Sequence, residues 1–508
     1  MDPVATLRAR FGYPGYRPGQ EELVRAVLSG RDALGILPTG GGKSVCYQVP
    51  ALLLPGMTLV VSPLVSLMAD QVDRARRAGL TADRLTADRT PADREQVLAL
   101  ARAGQLKLLL VSPERLATAR FRALLPELTV SLLAVDEAHC ISEWGHDVRP
   151  SYLDLGAARA IVHCPVLALT ATATPRVRAE IARVLELRDP VRVVGSFDRP
   201  NLSWHVVPAR GLAAKRAALR GVLRGANGRG TALVYAGTRR TVEAVRDDLA
   251  SLGLRAEAYH AGLEPDERTR VQEDFMAGRA PLVVATNAFG MGVDRSDVRL
   301  VVHWQLPGSL EGYYQEAGRA GRDGAPARCV ALHDSDDALL HRGFVDRGHP
   351  ARAVLEKFLA TLKRAARPTR VLHTTLADLA RTSGLSSSIT AAALRELARC
   401  GALRALIALP DPEEPDAAGS PAVEVAVHLP DARPDLSAAE RLRAGALALV
   451  RAVAGYADAR GCRRRHLLAH FGEEGPARCG ACDRCEAAPW WRRHHGRTRR
   501  SGAGSHTG

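Results

Sequence analysis

The chain has 508 residues, of which 46% are hydrophobic and 25% are charged, and its formal net charge is +15. No uncharged apolar run reaches the roughly 20 residues that a membrane-spanning helix needs, and the first residues lack a basic and apolar leader. We therefore expect a cytoplasmic protein of several domains with no membrane partner. The positive charge favours nucleic acid as a partner, although an arginine-rich composition of genomic origin would give the same charge.

A glycine-rich turn lies near the amino terminus, in the sequence Leu37-Pro-Thr-Gly-Gly-Gly-Lys-Ser44. Successive glycines let backbone N–H groups approach phosphate oxygens. Lys43 supplies a compact positive charge, and the Ser44 hydroxyl is suited to bind Mg²⁺. The strict phosphate-loop pattern has a glycine where Leu37 stands, so the turn alone could also be a solvated loop.

Four apolar runs in the first part of the chain predict strands of a parallel α/β sheet: Thr58–Ser62, Leu106–Ser112, Leu132–Asp136 and Val166–Thr170. The third run leads into Asp136-Glu137-Ala138-His139. Ligands of open α/β sheets bind at the carboxyl ends of the strands, so these carboxylates are predicted to face the glycine-rich turn. Asp136 would hold Mg²⁺ and Glu137 would activate water, which predicts hydrolysis of a nucleoside triphosphate.

A second series of strands is predicted in the following part of the chain: Thr231–Tyr235, Arg255–Tyr259, Leu282–Thr286 and Leu300–Trp304. This series has no phosphate loop and ends in a glycine-rich segment that carries Arg319 and Arg322. An arginine delivered across a cleft stabilises the charge on a transferring phosphoryl group. The alternative is that both arginines bind a phosphate backbone or solvent.

Residues 370–430 have the pattern of a winged helix. Two short helices are predicted over Leu372–Ser383 and Ser387–Arg399, and two strand-like runs over Leu403–Leu409 and Ala422–Leu429 flank an acidic, proline-rich loop. We hypothesise that this segment contacts duplex DNA. A packing spacer is the alternative, because the second helix carries few basic residues.

Four cysteines near the end of the chain form the pattern C-x16-C-x2-C-x2-C: Cys462, Cys479, Cys482 and Cys485. Four thiolates fill a tetrahedral zinc ion and leave no open position, which predicts a structural site. A redox pair is the alternative, and His466 and His470 could compete as ligands. A capping box, Ser437-x-x-Glu440, is predicted to start a helix that runs to about Arg460.

These motifs resemble those of RecQ-type helicases of superfamily 2, over residues 5–340 and 437–487. The resemblance implies two tandem RecA-like parallel-sheet lobes, here with a small winged-helix-like segment and a helical zinc-binding module. It implies an ATP-binding set in which Arg17 and Gln20 contact the base: Arg17, Gln20, Thr39, Gly40, Gly41, Gly42, Lys43 and Ser44. The implied magnesium ligands are Ser44 and Asp136. The implied catalytic residues are Lys43, Asp136, Glu137, Arg319 and Arg322 in the DEAH box and the second lobe. The residues that couple hydrolysis to lobe movement are His139, Thr170, Thr172 and Gln315.

The segment Cys140–Tyr152 resembles the loop that senses single-stranded DNA in this family. Aromatic residues are only 4% of the chain, and aromatic rings beside Arg149 can stack on unpaired bases. The predicted DNA contacts are Trp144, His146, Arg149 and Tyr152; the alternative for Trp144 is a place in the core. The family usually has phenylalanine at the position of Val148, so the resemblance does not carry over that one stacking contact.

The predicted domains are a first lobe (1–207), a second lobe (208–342), a linker with the winged-helix-like insertion (343–435), a zinc module (436–487) and a basic, disordered tail (488–508). The resemblance implies a 3′–5′ DNA helicase that uses ATP, Mg²⁺ and Zn²⁺ in DNA repair and recombination. Its expected partners are single-stranded and forked DNA, with single-strand-binding and repair proteins as candidates. The expected location is the bacterial cytoplasm, in association with the nucleoid.

Two other functions fit parts of the sequence. One is a DNA translocase or annealing protein that unwinds weakly, because only 23 residues follow Cys485 and no winged helix is expected there. The other is a non-catalytic DNA-binding scaffold, which the joint presence of Gln20, Lys43, Glu137 and both arginines argues against.

Overall fold

The structure, a computed structural model, describes residues 2–38, 40–63, 65–86, 88–142, 152, 155–226, 230–290, 295–366, 370–408, 424–428 and 434–486. The chain divides into two compact units, which we describe separately. The first comprises Met1–Thr86, Gln96–Asp337 and Val453–Gly508, and the second comprises Ala87–Glu95 and Ala338–Ala452. None of the helices in these described ranges combines the length and apolarity that crossing a membrane requires.

The strands are β1 (Ala33–Ile36), β2 (Met57–Val61), β3 (Ala82–Leu85), β4 (Leu108–Val111), β5 (Val130–Val135), β6 (Val166–Thr170), β7 (Val191–Val194), β8 (Leu202–Pro208), β9 (Thr231–Tyr235), β10 (Glu257–Tyr259), β11 (Leu282–Ala285), β12 (Val298–His303), β13 (Ala327–His333), β14 (Val371–Thr375), β15 (Arg404–Ala408) and β16 (Glu424–His428). The helices are α1 (Pro3–Phe11), α2 (Gln20–Leu28), α3 (Val45–Leu53), α4 (Val65–Arg77), α5 (Pro91–Arg102), α6 (Pro113–Ala117), α7 (Ala119–Leu124), α8 (Leu155–Ile161), α9 (Pro175–Val184), α10 (Gly211–Gly225), α11 (Arg239–Ala250), α12 (Pro265–Met276), α13 (Leu310–Ala317), α14 (Asp337–Gly348), α15 (Arg352–Ala365), α16 (Leu376–Ser383), α17 (Ser387–Arg399), α18 (Ser437–Asp458) and α19 (Arg463–His470).

The first sheet is parallel throughout, with the strand order β3-β4-β2-β5-β6-β1-β7. Its inner strands are largely apolar runs, and in one of them, Leu108–Val111, every residue is apolar and buried. Strands that are buried on both faces need such runs, because helices cover both faces of a parallel sheet. The carboxyl ends of these strands share one edge, which is where α/β proteins bind ligands.

The second sheet is also parallel, with the order β10-β11-β9-β12-β13-β8. All eight strands predicted for the two sheets are observed, and their ends differ from the prediction by at most two residues. Five further strands were not predicted: β1, β3, β7, β8 and β13. Two tandem parallel sheets in one unit are the predicted pair of RecA-like lobes.

The second unit holds a three-stranded antiparallel sheet with the order β14-β16-β15, together with α15, α16 and α17. Leu355, Phe358 and Leu394 belong to its apolar core. Helix–turn–helix followed by paired strands is the winged-helix-like arrangement that the sequence predicts. The predicted helix over Ser387–Arg399 is confirmed. The acidic loop after residue 408 lies outside the described residues.

Two predictions for this part of the chain are wrong. The first helix begins at Leu376 and not at Leu372, because residues 371–375 pair with β16 as a strand. The predicted capping box does not form either. The Ser437 hydroxyl donates to the carboxylate of Asp435, which also accepts the Ser437 backbone N–H at 2.9 Å, and Glu440 pairs with Arg352.

A buried ion pair joins β1 to the rest of the first sheet. Asp32 accepts the Arg159 guanidinium at 3.1 Å and the backbone N–H groups of Val166 and Arg188 at 2.8 and 2.7 Å. Substituting Asp32 by alanine leaves Arg159 buried without its counter-charge, so we expect the free energy of unfolding to fall by roughly 3 to 5 kcal/mol. Urea denaturation checks this value. Asp70→Ala, on the exposed face of α4, is the control and should change it by less than about 0.5 kcal/mol.

Candidate active site and zinc cluster

The glycine-rich turn leaves the carboxyl end of β1 and leads into α3. Gly40 and Gly42 have φ angles of +78° and +72°, in the left-handed region that favours glycine. A Cβ on Gly41 would lie 2.7 Å from a carbonyl oxygen of the same turn. The turn therefore requires its glycines. It brings Lys43 and Ser44 to the amino end of a helix, where N–H groups and the helix dipole favour an anion.

Arg17 and Gln20, the first residue of α2, brace this turn. The Gln20 amide donates to the carbonyl oxygens of Gly41 at 2.8 Å and Gly42 at 3.0 Å, and it accepts the Arg17 backbone N–H at 2.8 Å. The Arg17 guanidinium donates to the carbonyl oxygen of Gly40. The structure thus brings Arg17 and Gln20 to the turn with which the resemblance groups them. Thr39 lies outside the described residues.

The two predicted carboxylates follow β5 and lie beside the turn. The Lys43 Nζ is 4.0 Å from Glu137 Oε1. Glu137 has a φ of +46°, which is uncommon for a residue with a side chain and which clusters at functional sites. Its backbone N–H donates to Asp136 Oδ1 at 3.0 Å. The predicted convergence of Lys43, Asp136 and Glu137 is therefore observed.

Burial dominates the chemistry of Asp136. Removal from water, followed by repulsion from Glu137, raises the pKa of Asp136 to about 6, while Lys43 acts in the opposite direction. Gln71, on α4, supplies a side-chain hydrogen bond to this carboxylate. No sequence motif points to Gln71, because it lies inside an ordinary amphipathic helix.

Tyr152 requires a correction. Its side chain is fully buried, and its hydroxyl donates to the Asp136 carbonyl oxygen at 3.0 Å. A buried ring presents no face to a base, so the structure replaces the predicted DNA contact of Tyr152 with a contact to the carboxylate segment. The other predicted DNA contacts, Trp144, His146 and Arg149, lie outside the described residues.

A row of polar contacts runs from the carboxylates to the second sheet. His139 Nδ1 lies 3.3 Å from Glu137 Oε2 and 2.8 Å from the Thr170 hydroxyl. The Thr170 hydroxyl donates to the Thr172 carbonyl oxygen at 3.2 Å. The Gln315 amide, on α13, donates to the Thr172 hydroxyl at 3.0 Å. The four residues predicted to couple the lobes are therefore in contact, and the last bond joins the two sheets.

The arginine segment follows α13 and approaches the turn. A Cβ on Gly40 would lie 4.0 Å from the Arg322 Cδ, so Arg322 is next to the phosphate-loop backbone. Arg319 packs at a different place: a Cβ on Gly290 would meet its Nη2 at 2.6 Å. The structure thus brings Arg322 to the turn and Arg319 to the loop after β11.

Two residues that support the arginine segment were not predicted. Tyr235 hydrogen-bonds with Arg319, and burial raises the pKa of Tyr235 to about 12. His303 is fully buried, and its Nε2 lies 2.9 Å from Oε2 of Glu316, which is on α13 just before the arginine segment. Both residues end parallel strands, so the rule that identified Asp136 could also have identified them.

The four cysteines converge as the sequence predicts. Their sulfur atoms all lie within 4.8 Å of one another, whereas ligands of one tetrahedral zinc ion are about 3.8 Å apart. The four thiolates fit zinc, because small side-chain movements would bring their sulfur atoms to this spacing. His470 is not a member, because its Nε2 bonds with Glu311 at 2.9 Å.

Three family models match the chain. Residues 17–181 match the DEAD/DEAH box helicase model, residues 214–324 match the helicase conserved C-terminal domain, and residues 429–486 match the RecQ zinc-binding model. The three matches follow the order of the first sheet, the second sheet and the cysteine cluster.

Two curated helicases are similar to about two thirds of the chain. The ATP-dependent DNA helicase RecQ of Pasteurella multocida is 46% identical over 352 residues, which are 69% of this chain and 55% of that protein. The probable ATP-dependent DNA helicase RecS of Bacillus subtilis is 41% identical over 342 residues, which are 67% of this chain and 68% of that protein. The matched region thus spans little more than half of the Pasteurella protein.

Solved structures agree on the fold. The helicase Lhr of Mycobacterium smegmatis, bound to single-stranded DNA and AMP-PNP, superposes with a TM-score of 0.52 at 21% identity. That match covers 87% of this chain and 62% of the Lhr chain. The chain matches two helicase domain models and the RecQ zinc-binding model, and it covers two thirds of a relative that is 41% identical. The chain therefore belongs to the RecQ family of superfamily 2 helicases.

Proposed function

We propose that this chain is an ATP-dependent 3′–5′ DNA helicase that translocates on single-stranded DNA and unwinds forked duplexes in DNA repair and recombination. The observation that carries the proposal is the continuous row of contacts from Glu137 through His139, Thr170 and Thr172 to Gln315. Such a row ties the chemistry of one sheet to the position of the other. The relatives are named ATP-dependent DNA helicases, which supports ATP and DNA as the substrates. The 3′–5′ direction of translocation is inferred from the family resemblance.

The nucleotide would bind at the glycine-rich turn. Lys43 and the backbone N–H groups would hold its phosphates, with Arg17 and Gln20 near the base. The hydroxyl of Ser44 and the carboxylate of Asp136 are hard oxygen donors of the kind that Mg²⁺ prefers. When bound, Mg²⁺ neutralises phosphate charge. Glu137 would orient the attacking water.

The second sheet would complete the site. Arg322, beside the turn, and Arg319 would stabilise the charge that develops on the phosphoryl group. Because Gln315 bonds with Thr172, movement of the second sheet would reach His139 and then Glu137. Hydrolysis would therefore depend on how closely the sheets meet.

The remaining assignments belong to the same proposal. The domains would follow the predicted boundaries at residues 207, 342, 435 and 487. Trp144, His146 and Arg149 would contact unpaired bases, the zinc module would be structural, and the winged-helix-like segment would contact duplex DNA. A DNA substrate would keep the protein at the bacterial nucleoid, with single-strand-binding and repair proteins as partners.

The first test removes the phosphate-binding charge. Lys43→Ala is expected to lower ATP turnover stimulated by single-stranded DNA by at least about 100-fold, while DNA affinity stays within about two-fold. Steady-state ATPase assays and fluorescence anisotropy measure the two quantities. Lys357→Ala, on the exposed face of α15, is the matched control.

The same preparation decides between related functions. A fluorescent forked duplex should be unwound by the wild-type chain and not by Lys43→Ala. ATP turnover without unwinding would favour the translocase or annealing protein, and DNA binding without ATP turnover would favour the scaffold. Normal turnover in Lys43→Ala would contradict the assignment of the nucleotide site.

The raised pKa of Asp136 predicts a dependence of stability on pH. A carboxyl group whose pKa rises from 3.8 to about 6 on folding stabilises the folded chain at low pH, and this stabilisation is lost as pH rises through 6. At pH 8 without Mg²⁺, Asp136→Asn should therefore be more stable than the wild type by up to about 3 kcal/mol. The difference should disappear near pH 4.

Urea denaturation at both pH values measures this difference, and Asp70→Asn serves as the control. A variant that is less stable than the wild type at pH 8 would refute the argument. At limiting Mg²⁺, ATP turnover of the wild type should also decline as pH falls below 6, since protonation of Asp136 competes with metal binding.

The zinc assignment predicts one Zn²⁺ per chain, released on chelation. Cys482→Ser should lower the zinc content well below one per chain and lower the melting temperature, because metal binding contributes folding free energy. Cys400→Ser, a half-buried cysteine outside the cluster, is the control. Full zinc content in Cys482→Ser would show that the ion is held elsewhere.

A further inference from the structure

The zinc module contacts the segment of the chain that connects the two sheets. β7 lies in the first sheet and β8 in the second, so residues 195–201 form an interlobe linker. Glu473, which follows α19 of the zinc module, accepts the Ser196 hydroxyl at 2.6 Å and the Phe197 backbone N–H at 2.7 Å. One carboxylate thus fixes both the backbone and a side chain of the linker.

Two more residues of the zinc module contact the linker. The Phe471 ring stacks on the Phe197 ring, with centroids 4.4 Å apart and planes 4° apart. Arg464 donates to the carbonyl oxygens of Pro200 at 3.0 Å and Leu202 at 2.9 Å. Phe471 and Phe197 are both buried, so water does not compete for this contact.

The zinc cluster itself is joined to the linker's far end. The Trp204 backbone N–H, on β8, donates to the Ala481 carbonyl oxygen at 3.2 Å, and the Asp483 N–H donates to the Trp204 carbonyl oxygen at 3.2 Å. These bonds flank Cys482 and add the cysteine segment to the edge of the second sheet. The zinc module is therefore attached to the second sheet through backbone as well as side chains.

The linker in turn holds the arginine segment. The Arg199 guanidinium donates to the carbonyl oxygens of Gly318 at 3.2 Å, Ala320 at 3.0 Å and Gly321 at 3.0 Å. Asn201 donates to Gly321 as well, at 2.8 Å. These acceptors alternate with the two arginines predicted to act in hydrolysis, so the position of the linker determines where those arginines lie.

The first lobe also contacts the zinc module, through Arg178. Arg178, on α9, donates from Nε to the Ala173 carbonyl oxygen at 3.0 Å and from Nη2 to the Phe471 carbonyl oxygen at 2.7 Å. Ala173 directly follows Thr172, which bonds with Gln315. Through Arg178, the zinc module therefore reaches the residue next to Thr172 in the first sheet, and through the linker it reaches the arginines of the second.

We infer that the zinc module is a positioning element for ATP hydrolysis: Glu473, Phe471 and Arg464 hold the interlobe linker, and Arg199 of the linker holds the segment that carries Arg319 and Arg322. The inference rests on the proposed function. It gives the module a role in turnover that is separate from folding and from DNA binding. Glu473 is a positioning residue and does not touch the nucleotide.

The test compares Glu473→Ala with Glu474→Ala, an exposed neighbour of the same charge. Loss of two charge-assisted hydrogen bonds should lower kcat for ATP about ten-fold at saturating single-stranded DNA. The KM for ATP, the DNA affinity and the zinc content should stay within about two-fold of the wild type, because no ligand contact is removed. Glu473→Gln retains an acceptor oxygen and should recover part of the rate.

A double-mutant cycle separates positioning from general damage. In an Arg322→Lys background, Glu473→Ala should change kcat by less than about two-fold, because the group that it positions has already been altered. An equal loss in both backgrounds, or full kcat in Glu473→Ala, would overturn the inference. If Glu473→Ala releases zinc, Arg199→Ala tests the same connection from the linker and carries the same expectations.

Hydrogen exchange distinguishes failure of this inference from failure of the proposed function. Glu473→Ala should speed amide exchange in residues 196–202 and 318–322 and leave β12 unchanged, whether or not the chain hydrolyses ATP. Unchanged exchange at residues 318–322 would overturn the inference. A wild-type chain with no DNA-stimulated ATP turnover would instead refute the proposed function.

Discussion

The hydrogen bond from Gln315 to Thr172 is the contact on which the site depends, because it joins two sheets that each carry half of the chemistry. The first sheet provides Lys43 and the carboxylates, and the second provides the arginine segment. In the proposed function, neither half would act alone on a nucleotide. A site divided in this way makes any change in the separation of the sheets a change in the reacting groups, which is how hydrolysis can be converted into movement.

The first half of the site is built from groups that are unfavourable without a ligand. Burial raises the pKa of Asp136, and Glu137 holds a backbone conformation that costs of order 1 kcal/mol or more. The surrounding sheet supplies the compensation, since its central strands are buried on both faces. A cation placed between these carboxylates and the phosphates would relieve their repulsion, so the arrangement is matched to a metal-bound nucleotide rather than to the empty site.

The sequence predicted the parts of the molecule whose chemistry is local. Lys43, Asp136 and the cysteines stand in short motifs, and their convergence follows from the edge of a parallel sheet and from tetrahedral geometry. Leu372 is predicted to begin a helix, but its pairing with β16, which is distant in the sequence, makes it part of a strand.

Other features depend on contacts between residues that are distant in the sequence, and no local pattern encodes them. Arg199 meets Gly318, and Glu473 meets Phe197, across more than a hundred residues. Tyr152 was assigned to DNA because aromatic residues are scarce, yet burial against the Asp136 carbonyl oxygen accounts for it. Composition identifies an unusual residue and does not identify its partner.

The abundance of arginine has a structural use at the linker, whatever its origin in the genome. Arg199 donates to three carbonyl oxygens, Arg464 bridges two at 3.0 Å or less, and Arg178 bridges two from different parts of the chain. A planar guanidinium can span several acceptors in fixed directions, whereas a lysine ammonium is a flexible point charge. Lysine at these positions would keep the charge and lose the geometry. The reverse holds at Lys43, where a compact ammonium fits beside Glu137 at the phosphate loop. The choice between the two cations thus separates the arginines that hold the backbone of the linker from the lysine that is proposed to bind the nucleotide.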